Sequence, residues 1–285
     1  MLKVYQPGMV NDLFGGAAQS FAMTHARPTP ARWLPAATDD GTFGAGQTER
    51  CIEGPWASHW IEDSHDILDI GFSLSHIDWL RILLRQRSGD VRLSAVDIIT
   101  PERVANRYPA DLQAAALSVP IIIGDVRTAP VPERAFDTVT CISTIEHVGF
   151  DAKGADETSA FARWDTPEET PDSRDPAVTA DVLAAFARAL RPGGRALVTV
   201  PMGKGGAVLI RDSLGFYTRQ LEYDSRSWDE IIRAEGFRLL EQRFFRWVGE
   251  RGWREVSSPD DLADQTAWLT PHATGVALAA LERQP

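Results

Sequence analysis

From residue 66 onward, short apolar runs rich in Val and Ile recur along the chain and alternate with stretches of helical period. Runs of four to eight such residues suit buried strands. The pattern predicts strands over residues 66–70, 92–97, 120–124, 138–143, 195–201, 238–245 and 274–282. Helices fit between them over 75–86, 110–117, 177–190 and 227–235; in the first, Ile77, Leu80, Leu83 and Leu84 fall on one side. Strand–helix alternation of this kind implies crossover connections and a mostly parallel sheet, an α/β fold with helices on both faces. The last two predicted strands break the rhythm. A Trp-containing stretch, 246–272, separates them without a convincing crossover helix, which predicts an antiparallel edge at the C-terminal end of the chain. Upstream, ERCIEGPWASHW (49–60) reads as a helix leading into the first strand. Residues 1–48 hold no sustained period and read as an arm, either a lid or a loose terminus. The expected organisation is this arm followed by one domain over 49–285. Two segments, 150–175 and 205–225, are expected to be insertions on the substrate side. The first is acidic and Pro-containing, and loops of that length are usually functional or disordered.

Length and composition leave that picture intact and narrow the partners. A chain of 285 residues can bury a full core without disulfides or metals. Its 40 acidic against 29 basic residues, a formal charge of −11, would repel a phosphate backbone, so nucleic acid is not an expected partner. Cys51 and Cys141 form no CxxC pair and read as small buried residues. No basic start followed by an apolar run occurs, and no stretch reaches the roughly 18 apolar residues of a membrane span. A cytoplasmic protein without membrane contact is expected.

Ligands of open α/β sheets bind beyond the carboxyl ends of the strands. The first predicted strand ends in Asp69-Ile70-Gly71, a carboxylate followed by a residue without a side chain, which lets the backbone turn and approach a ligand closely. By itself this is equally a tight turn. The second strand ends in Asp97, roughly two dozen residues beyond the glycine, where a carboxylate can accept both hydroxyls of a ribose. A third run, Ile121-Ile122-Ile123-Gly124, delivers Asp125, able to accept from an adenine amino group. Any one of these aspartates could be a helix cap or turn residue. In this order they specify an adenosine site. Phe136-Asp137-Thr138-Val139 then continues to Ser143-Thr144-Ile145-Glu146-His147-Val148-Gly149, and Leu190-Arg191-Pro192-Gly193-Gly194 reads as a helix terminator with a left-handed glycine cap.

This order of motifs resembles the class I, Rossmann-like S-adenosylmethionine-dependent methyltransferases over roughly residues 49–283, of the kind found in glycan or natural-product pathways. The resemblance implies a seven-stranded, mostly parallel sheet whose last strand is antiparallel, for which Gly275–Leu281 is the candidate, and S-adenosylmethionine as cofactor. It further implies that Asp69 and Gly71 bound the methionine end of that cofactor, Asp97 with Ile98 holds the ribose, Asp125 and Val126 meet adenine, and Ser143 and Thr144 line the floor near the sulfonium. One departure stands out: the family's Gly-x-Gly-x-Gly is here Gly71-Phe72-Ser73-Leu74-Ser75, which keeps Ser73 as a cofactor contact but makes the loop less permissive. The same departure excludes a nicotinamide dinucleotide, whose turn needs two further glycines. The segment Arg50–Trp56 is similar to a helix that closes over the methionine part in some members; Trp56 is then a cofactor contact, although Trp56 and Trp60 equally form one apolar helix face.

Methyl transfer is an in-line displacement, accelerated largely by alignment of nucleophile and methyl group. A base is needed only for a hydroxyl or a protonated amine. His147, at the end of the fourth strand, is the candidate base; Glu146 is a candidate for substrate binding, for helix capping or, by resemblance to carbon-methylating relatives, for holding a bicarbonate. Phe216, Tyr217, Arg219 and Tyr223 supply the aromatic and basic contacts of an acceptor pocket, or the packing of an inserted hairpin. Glu146, Asp151, Asp156 and Glu157 could attract a divalent ion, but such charge runs are more often solvated loops, and no metal is expected. Strand four lacks the Asn/Asp-Pro-Pro-aromatic signature of nucleic-acid amino-methyltransferases. The expected activity is methylation of an oxygen or nitrogen of a small molecule, a saccharide or secondary metabolite; the alternatives are carbon methylation and a cofactor-binding scaffold without catalysis. A homodimer is compatible with the sequence.

Overall fold

The computed structural model describes residues 37–87, 90–150, 166–170, 173–211, 217–265 and 273–285. Ten strands occur among them: β1 (Asp66–Ile70), β2 (Arg92–Asp97), β3 (Ile121–Ile123), β4 (Phe136–Ile142), β5 (Leu190–Pro201), β6 (Gly206–Arg211), β7 (Tyr217–Glu222), β8 (Phe237–Trp247), β9 (Trp253–Val256) and β10 (Gly275–Arg283). Eight form one sheet in the order β3-β2-β1-β4-β5-β10-β8-β9, and β6 with β7 makes a separate antiparallel ribbon. β1 through β5 run parallel. β10 pairs antiparallel with β5 on one side and with β8 on the other.

The α/β class and the seven predicted strands are present, with two corrections. The sheet has eight strands, because β9 adds an antiparallel edge beside β8. Moreover, the last strand is interior: Gly275–Leu281 is buried throughout, as a strand covered on both faces must be.

Among the described residues five α-helices flank the sheet: α1 (Arg50–Ile61), α2 (Ile77–Gln86), α3 (Ala110–Leu117), α4 (Val178–Ala189) and α5 (Ser225–Ile232). Side-chain alternation along the strands divides the core between them. Ile67, Ala95 and Leu197 pack with Trp56, Leu80 and Ala116 of α1, α2 and α3. Leu68, Val96 and Val198 pack with Val182 and Phe186 of α4 and Trp228 of α5. Local chemistry fixes several ends. Asp224 and Ser227 close a reciprocal capping box at the start of α5. Asp137 accepts the main-chain N–H groups of His65 and Asp66, at 2.9 and 3.1 Å, and thereby pins the start of β1 to β4.

The Leu190–Gly194 motif needs a different reading from a left-handed helix cap. α4 ends at an extended Leu190, which already belongs to β5. The residues that follow form a bulge in which the register passes from Phe136↔Leu190 to Thr138↔Arg195. Gly193, at φ +79°, turns this bulge rather than the helix end. In the expected N-terminal arm, Phe43 is buried in the core and exchanges both main-chain hydrogen bonds with Trp253 of β9 (2.9 and 2.7 Å). The rest of that arm, up to residue 36, lies outside the described residues.

Candidate active site

The carboxyl ends of β1, β2, β4 and β5 meet at one rim of the sheet, and α1 crosses it. Past β1 the chain turns at Gly71 with φ +83°. A methyl group there would lie 2.6 Å from Thr144 Oγ1 and Cγ2, so glycine is required both for the turn and for the approach of the strand-four loop.

Ser73, next along this loop, is 1 % exposed. Its N–H donates to Asp97 Oδ2 (2.8 Å), its hydroxyl donates to the Ile99 carbonyl (2.7 Å), and its own carbonyl accepts from Tyr108 (3.0 Å). Ser73 is therefore a strap between the β1 and β2 loops rather than the cofactor contact expected of it. Asp97 also accepts the Ile99 N–H at 2.9 Å. Burial raises its pKa against these hydrogen bonds. Ile98 stands half-buried beside it.

Asp69 faces the α2 side. Its Oδ1 accepts from Thr140 (2.6 Å) and from the Trp79 indole (3.1 Å), while Oδ2 is buried with no partner. Burial pushes the carboxyl up to about 7 despite the two donors, and the charge of Asp97 adds to the rise. Asp125 is held in a fork by Arg127, whose Nη2 lies 2.5 Å from Oδ2. Burial works against ionisation there, but the guanidinium and the Arg127 N–H prevail and the pKa falls. That carboxylate is engaged by Arg127 rather than open toward adenine. Val126 turns its side chain into the α4-side core, which restricts any ligand contact to its main chain.

The end of β4 is built differently. Ser143 has φ +44°, a conformation that costs a non-glycine residue on the order of 1–3 kcal/mol and persists only when its surroundings enforce it. The enforcement comes from Glu53 of α1, which is fully buried. Glu53 Oε1 accepts from the hydroxyls of Ser143 and Thr199, both at 2.6 Å, and Arg50 grips Oε2. The Ser143 N–H closes the network on Thr199 Oγ1 at 3.0 Å. Glu53 thus ties α1 to β4 and β5. Trp56, the residue of this helix expected at the cofactor, is instead fully enclosed in the α1–α3 core.

Glu146 follows and is 2 % exposed. Its carbonyl accepts the Leu221 N–H of β7 (2.9 Å), but its carboxyl Oε2 is buried without a partner. Burial pushes this carboxyl up to about 8; its own N–H opposes the rise, Glu53 reinforces it, and Arg50 and Arg174 oppose it again. His147 donates a ring N–H to the Arg219 carbonyl. Burial and the Arg50 charge drive its pKa down to about 4, so at neutral pH it is an uncharged, weak base. This displaces His147 from the role of general base. Arg174 fastens the same loop by donating to the carbonyls of Ile145 (3.0 Å) and Val148 (3.1 Å) and to the Tyr223 hydroxyl (3.0 Å).

The expected acceptor residues separate accordingly. Tyr223 is a fully buried core residue, not a pocket wall. Arg219 binds Thr170 Oγ1 at 2.9 Å, which ties β7 to the 166–170 segment. Phe216 and the side chain of Tyr217 lie outside the described residues, as do Asp151, Asp156 and Glu157. Among the described residues no group of three His, Cys, Asp or Glu side chains could hold a metal ion, and no helix is long and apolar enough to cross a membrane. Arg50, Glu53 and Arg174 escaped the sequence reading. Glu53 did leave one sign, an acid inside the otherwise apolar run Cys51-Ile52-Glu53-Gly54-Pro55-Trp56.

No family model and no curated protein matches the chain. Among solved structures it is similar to an S-adenosylmethionine-dependent methyltransferase of Methanosarcina mazei, with 13% identity, 78% of this chain and 93% of that one covered, and a TM-score of 0.48. It is also similar to the Burkholderia thailandensis 1,6-didemethyltoxoflavin N1-methyltransferase with bound 1,6-didemethyltoxoflavin and S-adenosylhomocysteine (15%, 80% and 76%, TM-score 0.44). A third is the glycopeptide N-methyltransferase MtfA in complex with S-adenosylmethionine (14%, 78% and 88%, TM-score 0.42). These likenesses concern the path of the chain and assign no ligand or reaction.

Proposed function

We propose that the chain is an S-adenosylmethionine-dependent methyltransferase that methylates an oxygen or nitrogen of a small molecule in the cytoplasm. What supports this most is the sheet order, with antiparallel β10 between β5 and β8, because an antiparallel final strand on a parallel sheet is what the motif resemblance implies. The rim offers the matching chemistry. Asp69 Oδ2 and Glu146 Oε2 are buried acceptors without partners, the kind of polar atom that a native fold leaves open where a ligand completes it.

In this reading Gly71 and Asp69 border the methionine end, and the Asp97 carboxylate, held by the Ser73 and Ile99 N–H groups, receives the ribose hydroxyls. Ser143 and Thr144 form the floor. The cofactor supplies an electrophilic methyl group. The chain's part is to align the acceptor with it and to accept the acceptor's proton. Glu53 holds the floor rigid, and His147 fixes the loop by its bond to Arg219.

Calorimetric titration with S-adenosylmethionine and S-adenosylhomocysteine tests the reading. Both are expected to bind, and Asp97→Ala is expected to weaken binding by at least about tenfold, or ~1.4 kcal/mol. Failure of the wild-type protein to bind either compound defeats the proposal. Binding without homocysteine-product formation across candidate acceptors would favour a scaffold instead.

A further inference from the structure

Among the described residues, Arg134 and Ser143 alone combine a side chain with a positive φ. Arg134 turns an exposed loop ahead of β4. Ser143 stands at the rim, and the residue after it, Thr144, packs so closely on the turn at Gly71 that a methyl group there would lie 2.6 Å from its side chain. The backbone of Ser143 therefore decides how Thr144 meets Gly71, and so shapes the place where the two turns touch. A glycine at this position would take the left-handed conformation unaided. A serine keeps it only while its surroundings hold it there.

The hold comes from a different element of the fold. The hydroxyls of Ser143 and of Thr199 in β5 both donate to Glu53 Oε1 at 2.6 Å, and the Ser143 N–H donates to Thr199 Oγ1 at 3.0 Å. Glu53 belongs to α1, and Arg50, three residues earlier on that helix, engages its other oxygen. The helix is itself seated by apolar packing, with Ile52, Trp56, Ala57 and Ile61 fully buried. Because the Ser143 hydroxyl is spent as a donor on Glu53, its part at the rim is to hold the turn.

We propose that Glu53 is a positioning residue through which α1 controls cofactor affinity: seated with its helix, it keeps Ser143 left-handed and Thr144 against Gly71, and without it the turn relaxes and the cofactor is held less tightly. The inference rests on the methyltransferase reading, in which these two turns border the cofactor, and adds that the site is completed by a helix whose carboxylate acts through another residue. Choosing serine over glycine at 143 is what makes the site conditional. With glycine the turn would stay open to ligand in any state of α1; with serine the pocket takes its binding shape only when the helix is docked.

The test compares two substitutions at one position. Ser143→Ala and Ser143→Gly both delete the hydroxyl that Glu53 accepts, but only alanine keeps the Cβ that disfavours a left-handed backbone. In calorimetric titration with S-adenosylhomocysteine, Ser143→Ala is expected to bind about tenfold more weakly than Ser143→Gly. A second arm places Glu53→Ala in two chains. It is expected to weaken binding about tenfold in the wild-type chain and no more than about twofold in the Ser143→Gly chain, although urea denaturation shows a loss of stability in both. A role in stability alone produces no such split. If Glu53→Ala does not fold, the alanine–glycine comparison decides by itself. Affinities that are equal in the two Ser143 variants, or tighter in the alanine one, overturn the inference with the methyltransferase reading intact, as does a Glu53→Ala effect that is undiminished in the Ser143→Gly chain. Failure of the wild-type protein to bind S-adenosylhomocysteine removes that reading, and this inference with it.

Discussion

Two loops at the same rim solve the problem of exposed strand ends in opposite ways. The loop after β1 is satisfied from within: Ser73, Asp97, Ile99 and Tyr108 exchange hydrogen bonds, and the only positive φ falls on a glycine, Gly71. The loop after β4 carries its positive φ on a serine, leaves the Glu146 oxygen unpartnered, and is fastened from outside by Glu53 and Arg174. The difference teaches where structure ends and function begins. Many short local bonds make a scaffold; a strained residue beside an orphaned buried acid is the pattern by which a fold departs from that self-sufficiency.

Five single substitutions, one of them with a compensating partner, test this contrast. The largest effect is expected at Glu53→Ala, since this one carboxylate joins α1 to both β4 and β5: its loss strands Arg50 and two hydroxyls, and urea denaturation should show a loss of about 3 kcal/mol. Asp97→Ala removes two of the bonds in the other loop and leaves the Ser73 and Ile99 N–H groups unpaired, with an expected loss of about 2 kcal/mol by the same measurement. Gly71→Ala meets both the left-handed backbone and the Thr144 side chain and should lose roughly 1.5 kcal/mol, of which Thr144→Ala in the same chain restores the steric part.

A pH titration sharpens the contrast further. Glu146 binds its proton in the fold up to about 8, whereas the unfolded chain releases it near the ordinary glutamate value. Stability therefore falls as pH rises through that window. Between pH 7 and 8 wild-type protein should lose about 1 kcal/mol through Glu146, with smaller losses through Asp69 and Glu49, both pushed up by burial to about 7, and Glu146→Gln should remove the larger part of the slope. The smallest effect is expected at Arg127→Ala. Its pair with Asp125 is partly solvated, and about 0.5 kcal/mol or less should be lost.

Much of the fold was legible because buried strands must be apolar on both faces. The runs at 66–70 and 92–97 are present as written, as is the helix at 110–117, where the alanines and leucines have no competing signal. β9 was not legible: Trp253-Arg254-Glu255-Val256 is short, half charged and paired with a strand on one side only, its other side meeting a single bridge to Phe43. Nor does any local pattern reveal that β10 slips between β5 and β8, a fact of long-range pairing. At the rim, the places of Asp69, Gly71 and Asp97 at the ends of β1 and β2 were legible from the strand pattern. Glu53 was hidden because its partners Ser143 and Thr199 lie far along the chain, and the apolar face of its helix drew the reading to Trp56. His147 was misread because its chemistry depends on Arg219 and Arg50, neither of which its sequence neighbours disclose.

The place of β10 also has a consequence in time. Translation delivers β5 and β8 well before the strand that joins them, so on a nascent chain both wait with an unpaired edge. Until residues 275–283 clear the ribosome, the sheet can close only as far as β5. Exposed edges invite pairing with the wrong partner. The order of synthesis therefore makes the final insertion of β10 the step at which this chain is most exposed to misassembly, and the one that a chaperone would guard.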